Sequence, residues 1–143
     1  MPLKRKQTHR SSLMQKGDTF IEKFKVTSEL RDGFIKLFNA HAAIHTDSVY
    51  AQKRKFKSFV IHGNILSGFI SHFVDECLPE KNAMCYAQNI KFNKPVYLND
   101  ELTFHAEITD IHDSVNIAEL DFFFENADKI KVAKGDLLIG INI

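Results

Sequence analysis

His41, His45 and His62 are the side chains best placed to move protons near neutral pH, because imidazole has a reference pKa of about 6.5. They stand in two runs, Phe38-Asn39-Ala40-His41-Ala42-Ala43-Ile44-His45-Thr46-Asp47 and Phe59-Val60-Ile61-His62-Gly63-Asn64. The second run opens an apolar helical pattern, so the Gly63 N–H falls at the positive end of a helix, where a backbone donor can hold developing negative charge. A proton carrier beside such a donor makes a site for an activated carbonyl. Plainer roles exist for the same residues. Gly63 suits a sharp backbone turn, and His62 suits capping or orienting the helix start. His72, His105 and His112 fall on a helix or on strand and turn positions with no partner cluster; they are expected to be structural or exposed. No metal set is visible, and no cofactor is expected.

These residues need a frame, and the hydrophobic periodicity describes one. Phe20, Phe24 and Val26 share one parity against Lys23 and Lys25, the pattern of a short strand. Thr27 then caps a helix with Glu29 in its first turn and Leu30, Phe34 and Phe38 along one stripe, weakened slightly by Gly33. A second short helix begins at Thr46 or Asp47 and runs through Val49, Tyr50 and Ala51, so Asp47 is a cap or dipole partner rather than a catalytic base. The most regular helix follows His62: Ile65/Leu66, Phe69/Ile70, Phe73/Val74 and Cys77 form its apolar face, and Leu78-Pro79 ends it.

Beyond Pro79 the period changes to two. Ala83–Asn93, Glu101–Asp110, Val115–Glu125 and Ile130–Ile143 read as strands separated by short polar turns, which predict antiparallel neighbours in a four-strand meander. Gly135 inside the last of them marks a bulge or a close backbone approach. An early strand, a buried helix and this meander give an α+β layer architecture. Phe34, Phe38 and Phe59 are core candidates before they are pocket candidates.

The chain has 143 residues and a mass of 16.4 kDa, enough for one core but not two. Residues 1–16 are expected to form a solvated tail and 17–143 a single domain. No apolar run approaches the ~20 residues that cross a bilayer, and no secretory signal stands at the N-terminus, so a cytoplasmic location is expected. Nineteen basic and 18 acidic residues leave a net charge of +1, too balanced for a nucleic-acid surface. Positive charge concentrates at Lys53-Arg54-Lys55 with Lys57, between the two histidine runs, where it could hold the phosphates of an anionic carrier or simply be solvated. Cys77 and Cys85 read as reduced packing residues.

The order Gly17-Asp18-Thr19-Phe20, a helix, Ile44-His45-Thr46-Asp47 with Ala51, Val60-Ile61-His62-Gly63, then Phe92-Asn93-Lys94-Pro95-Val96 with Asp100-Glu101-Leu102, resembles the MaoC-like hydratases and dehydratases. The resemblance implies the hotdog fold, an antiparallel sheet wrapped around a long central helix. It also implies sheets paired in a homodimer or higher homo-oligomer, and reversible addition of water to a 2-enoyl thioester carried on coenzyme A or acyl carrier protein. His45 matches the family's catalytic histidine and the Gly63 N–H its oxyanion donor. His62, Asn64, Lys53, Arg54 and Lys55 become substrate-binding candidates.

The resemblance breaks at one place. The family pattern Gly-Asp-x-Asn-Pro-x-His has a carboxylate five residues before the histidine and an asparagine three before it; here those positions are Ala40 and Ala42, with Asn39 for the glycine and Ala43 for the proline. Alanine accepts no proton, and a well-placed acid or base is worth ~10²–10⁴-fold in rate. His41 is the nearest substitute, sharing a face with His45 if that turn is helical. Two readings follow: a hydratase or dehydratase working with a reduced site, and a subunit that binds acyl thioesters or a protein partner without efficient turnover. Thioester hydrolysis is a weaker third, since Asp75 and Glu76 lie too far along the helix from Gly63.

Overall fold

A computed structural model describes residues 13–143. The elements in chain order are β1 (Thr19–Lys25), α1 (Ser28–Phe38), α2 (Ala43–Thr46), α3 (Ser48–Gln52), α4 (Asn64–His72), β2 (Met84–Phe92), β3 (Glu101–His112), β4 (Ile117–Glu125) and β5 (Lys131–Gly140). Five antiparallel strands form one sheet in the order β1-β3-β4-β5-β2, and α4 lies against it. This is the α+β arrangement that the periodicity predicts.

Alternation explains the layer. Along β3, Leu102, Phe104, Ala106 and Ile108 are buried, and along β4 Ala118, Leu120, Phe122 and Phe124 are, so one face of the sheet meets Ile65, Leu66, Phe69 and Ile70 of α4. Phe73 and Val74 continue that buried stripe through a π-helical turn, Phe73–Cys77, which ends before Leu78-Pro79. The register places Gly135 beside Ile90, and a β-carbon there would lie 1.8 Å from the Asn89 carbonyl oxygen. Only glycine permits that approach.

The predicted four-strand meander is corrected. β3, β4 and β5 form a meander, but β2 pairs with β5 at the far edge, while β1 covers the outer side of β3. Eight residues, 93–100, separate β2 from β3, enough for the chain to cross rather than turn back. Cys85 is exposed on this edge strand and Cys77 is half-buried, so only the latter fits a packing role. Phe38, expected in the core, is 70% exposed. The solvated tail expected over residues 1–16 falls outside the described residues up to position 12; at its end Met14 is buried in the core cluster. Among the described residues no helix is long and apolar enough to cross a membrane.

Candidate active site

Local chemistry places each histidine. Thr27 accepts from the Leu30 N–H and starts α1; Asn39, in the left-handed conformation at φ 54°, ends it by donating to the Ile35 carbonyl. The chain then runs extended through Ala42 into the single turn of α2, which carries His45. Asp47 accepts from the Val49 and Tyr50 N–H groups, capping α3 as its position in the sequence predicts. Val60 donates to the Ile44 carbonyl at 2.9 Å and Ile61 to the Val96 carbonyl at 2.8 Å, so the segment leading into α4 is clamped between α2 and the loop before β3.

That clamp brings His45 and His62 together. Their rings stack with centroids 3.7 Å apart and an interplanar angle of 25°. His45 Nδ1 donates to the Val60 carbonyl at 2.7 Å, so in the neutral ring it is Nε2 that carries the lone pair. His62 hydrogen-bonds to the Ala40 backbone, while its Nδ1 is buried without a hydrogen-bond partner among the described residues. Burial lowers the His62 pKa below the usual histidine value, and the nearby charges of His45 and Arg31 lower it further.

Both imidazoles face one cavity of about 1220 Å³ whose wall also includes Gly63, Ala40, Phe34 and Phe92. Gly63 has ordinary helical dihedrals, φ −57° and ψ −34°, so no sharp turn requires it. It is crowded instead: a β-carbon would lie 2.7 Å from the edge of the half-exposed Phe92 ring, which would have to shift. Its N–H belongs to the first turn of α4, where no preceding helical carbonyl is available.

The remaining candidates separate. His41 is exposed and does not line the cavity, and the helical turn that would set it beside His45 does not form, because α2 begins only at Ala43. Asn64 lines the cavity. Lys53, Arg54 and Lys55 are exposed after α3 and do not; Arg54 folds back over the Tyr50 ring at 3.5 Å. Lys94 does line it. Lys94 lies inside the run Phe92-Asn93-Lys94-Pro95-Val96, so a signal for it existed.

Arg31 was not legible as a site residue. Its Nη2 donates to the His45 carbonyl at 3.1 Å, its guanidinium lies 4.2 Å from the Phe59 ring centroid, and its buried Nε has no partner among the described residues. His105 and His112 do have partners, contrary to expectation: His105 pairs with Glu125 at 3.0 Å and stacks on Phe123, and His112 meets Glu119 at 2.5 Å. Asp110, His112 and Glu119 bring their ligand atoms within 4.8 Å of one another, a set that no sequence spacing announced. Its members sit on β3 and β4, away from the cavity lining.

Comparison with known proteins fits this geometry. Residues 23–121 match the family described as MaoC like domain. An (R)-specific enoyl-CoA hydratase of Aeromonas caviae is 30% identical over 77 residues, which are 54% of this chain and 58% of that protein. A mitochondrial 3-hydroxyacyl-[acyl-carrier-protein] dehydratase of Arabidopsis thaliana is 23% identical over 87% of this chain and 76% of its own. The solved (R)-hydratase of A. caviae involved in PHA biosynthesis superposes with a TM-score of 0.82 at 21% identity, covering 90% of this chain and 97% of that one. The sheet and its central helix are thus those of the hotdog fold. This chain belongs to the MaoC-like domain family.

Proposed function

We propose that the protein is an acyl-thioester hydratase or dehydratase, catalysing reversible addition of water to a 2-enoyl thioester. The observation that carries this reading is the convergence of His45, His62 and the Gly63 end of α4 on one largely apolar cavity. In the hydration direction, His45 Nε2 takes a proton from water as the oxygen bonds to C3. The π electrons of the double bond move to C2 and on to the thioester oxygen, which the Gly63 N–H holds. Protonation of C2 by the His45 imidazolium then completes the addition and returns the base.

His62 stands where it can hold the His45 ring from below, while His41, exposed beyond the cavity, is not needed for this scheme. The acyl group arrives on coenzyme A or acyl carrier protein, with Lys94 and Asn64 at the cavity wall and Lys53, Arg54 and Lys55 farther out as candidate phosphate contacts. A homodimer in the cytoplasm is the state in which we expect it to work.

One observation favours a second reading. Ala40, on the cavity wall, stands where the family pattern has a carboxylate, so the protein could bind acyl thioesters, or complete a partner subunit, without efficient turnover. Loss of the conjugated thioester absorbance of a 2-enoyl-coenzyme A distinguishes the two. The hydratase reading expects turnover that falls by about 10²–10⁴-fold in His45→Gln; tight thioester binding with no detectable turnover selects the second reading.

A further inference from the structure

We propose that the apolar face of α1 seats a long, unbranched acyl chain, octanoyl or longer, whose thioester end lies at His45 and Gly63; this rests on the thioester reading above. Leu30, Phe34, Leu37 and Phe38 recur at helical spacing and line the same cavity as the two histidines. Three of them face outward to an unusual degree for such large apolar groups: Leu30 is 42% exposed, Leu37 79% and Phe38 70%.

This face is continuous with the reacting end. Ring centroids step from Phe38 to Phe34 in 5.0 Å, from Phe34 to His62 in 4.9 Å and from His62 to His45 in 3.7 Å. Ala40 lines the cavity beside this row. The substitution that removes the expected carboxylate therefore also removes a charge from the wall an acyl chain would follow. Across the cavity, Leu66 and Val132 are buried apolar residues, and Phe92 is 48% exposed.

Size points the same way. The cavity, at about 1220 Å³, exceeds the ~300–1,000 Å³ of ordinary small-molecule sites, more room than a short acyl group requires. From Leu30 to Phe38 the helix rises ~12 Å, so successive methylenes would keep finding apolar wall. Each buried methylene then adds about two- to fourfold in affinity.

The full chain is titrated with butyryl-, octanoyl- and dodecanoyl-coenzyme A, saturated thioesters that bind without hydration, and the matching 2-enoyl thioesters are assayed in parallel. The dissociation constant is expected to fall about two- to fourfold for each methylene between butyryl and octanoyl. Leu37→Asp combined with Phe38→Asp is expected to weaken dodecanoyl binding at least about tenfold more than butyryl binding. Both side chains are largely exposed, so the variant should fold, and its thermal transition checks this. Equal affinity across the series, or equal weakening at every length in the variant, overturns the proposal. So does a variant that keeps the length dependence but sediments as a smaller species, since the face is then a contact between copies. A steep length dependence with no turnover of the 2-enoyl series sinks the hydratase reading and leaves this one standing.

Discussion

At the residue scale, the two alanines before His45 decide how this site can work. Ala40 lines the cavity and the His62 ring bonds to its backbone, so a side chain restored at this position would grow from the site's own wall. Ala40→Asp with Ala42→Asn is expected to raise 2-enoyl thioester hydration by about tenfold or more, since one well-placed acid or base contributes ~10²–10⁴-fold. A folded double variant with no gain would show that the site lacks more than this pair. The histidines themselves carry opposite pH signatures. His62 has a lowered pKa, chiefly from burial, so its contribution to stability is complete above about pH 6.5 and is lost as the pH falls through its folded value. His112 has a raised pKa, chiefly from its hydrogen bond to Glu119, so its contribution is complete below about pH 6.5 and is lost as the pH rises through its folded value. Urea transitions of His62→Gln and His112→Gln between about pH 5 and 8 should differ from the parent in opposite directions across that window. Parallel pH profiles for the two variants and the parent would contradict both assignments.

At the element scale, what was legible in the sequence had a local cause. Thr27 and Asp47 announce helix starts because a capping side chain reaches only two or three residues onward, and both caps form. The α4 stripe and the alternation of β3 and β4 likewise follow from side chains reporting their own burial. Contacts between distant elements left no such trace. The stacking of His45 on His62 depends on Val60 and Ile61 being clamped to Ile44 and Val96, and Arg31 reaches the His45 carbonyl from a different helix. Gly63 shows the same limit, because its crowding comes from Phe92 at the end of β2 rather than from its own dihedrals. Gly63→Ala is therefore expected to cost no more than about 1 kcal/mol in a denaturant transition, as the edge of the half-exposed Phe92 ring moves aside. Adding Phe92→Ala should recover most of that loss. An unrecovered loss would mean that the glycine serves its backbone and not the neighbouring ring.

At the scale of the whole molecule, the place of β2 was the least legible feature and has the widest consequence. Alternation identified it as a strand, but nothing within Met84–Phe92 says whether it pairs with β3 or beyond β5. At the far edge it has a partner on one side among the described residues, and eight of its nine residues are exposed. Met84 and Tyr86 are large apolar side chains about half exposed there. An unpaired edge offers its N–H and C=O groups to another strand, and proteins that avoid such pairing protect the edge with charge. Here Lys91 is the one charged residue in the strand MCYAQNIKF. The edge thus suits pairing with a second copy, which would extend the sheet and bring two cavities near one interface, since Phe92 ends this strand and lines the cavity. Sedimentation equilibrium of the full chain should then report a dimer. Ala87→Lys with Asn89→Lys, both at exposed positions, should weaken self-association by about tenfold or more through like-charge repulsion while the thermal transition of the monomer persists. A parent chain that sediments as a monomer at every concentration, or a double-lysine variant that dimerises as tightly as the parent, would place the contact between copies elsewhere and leave β2 a solvent edge.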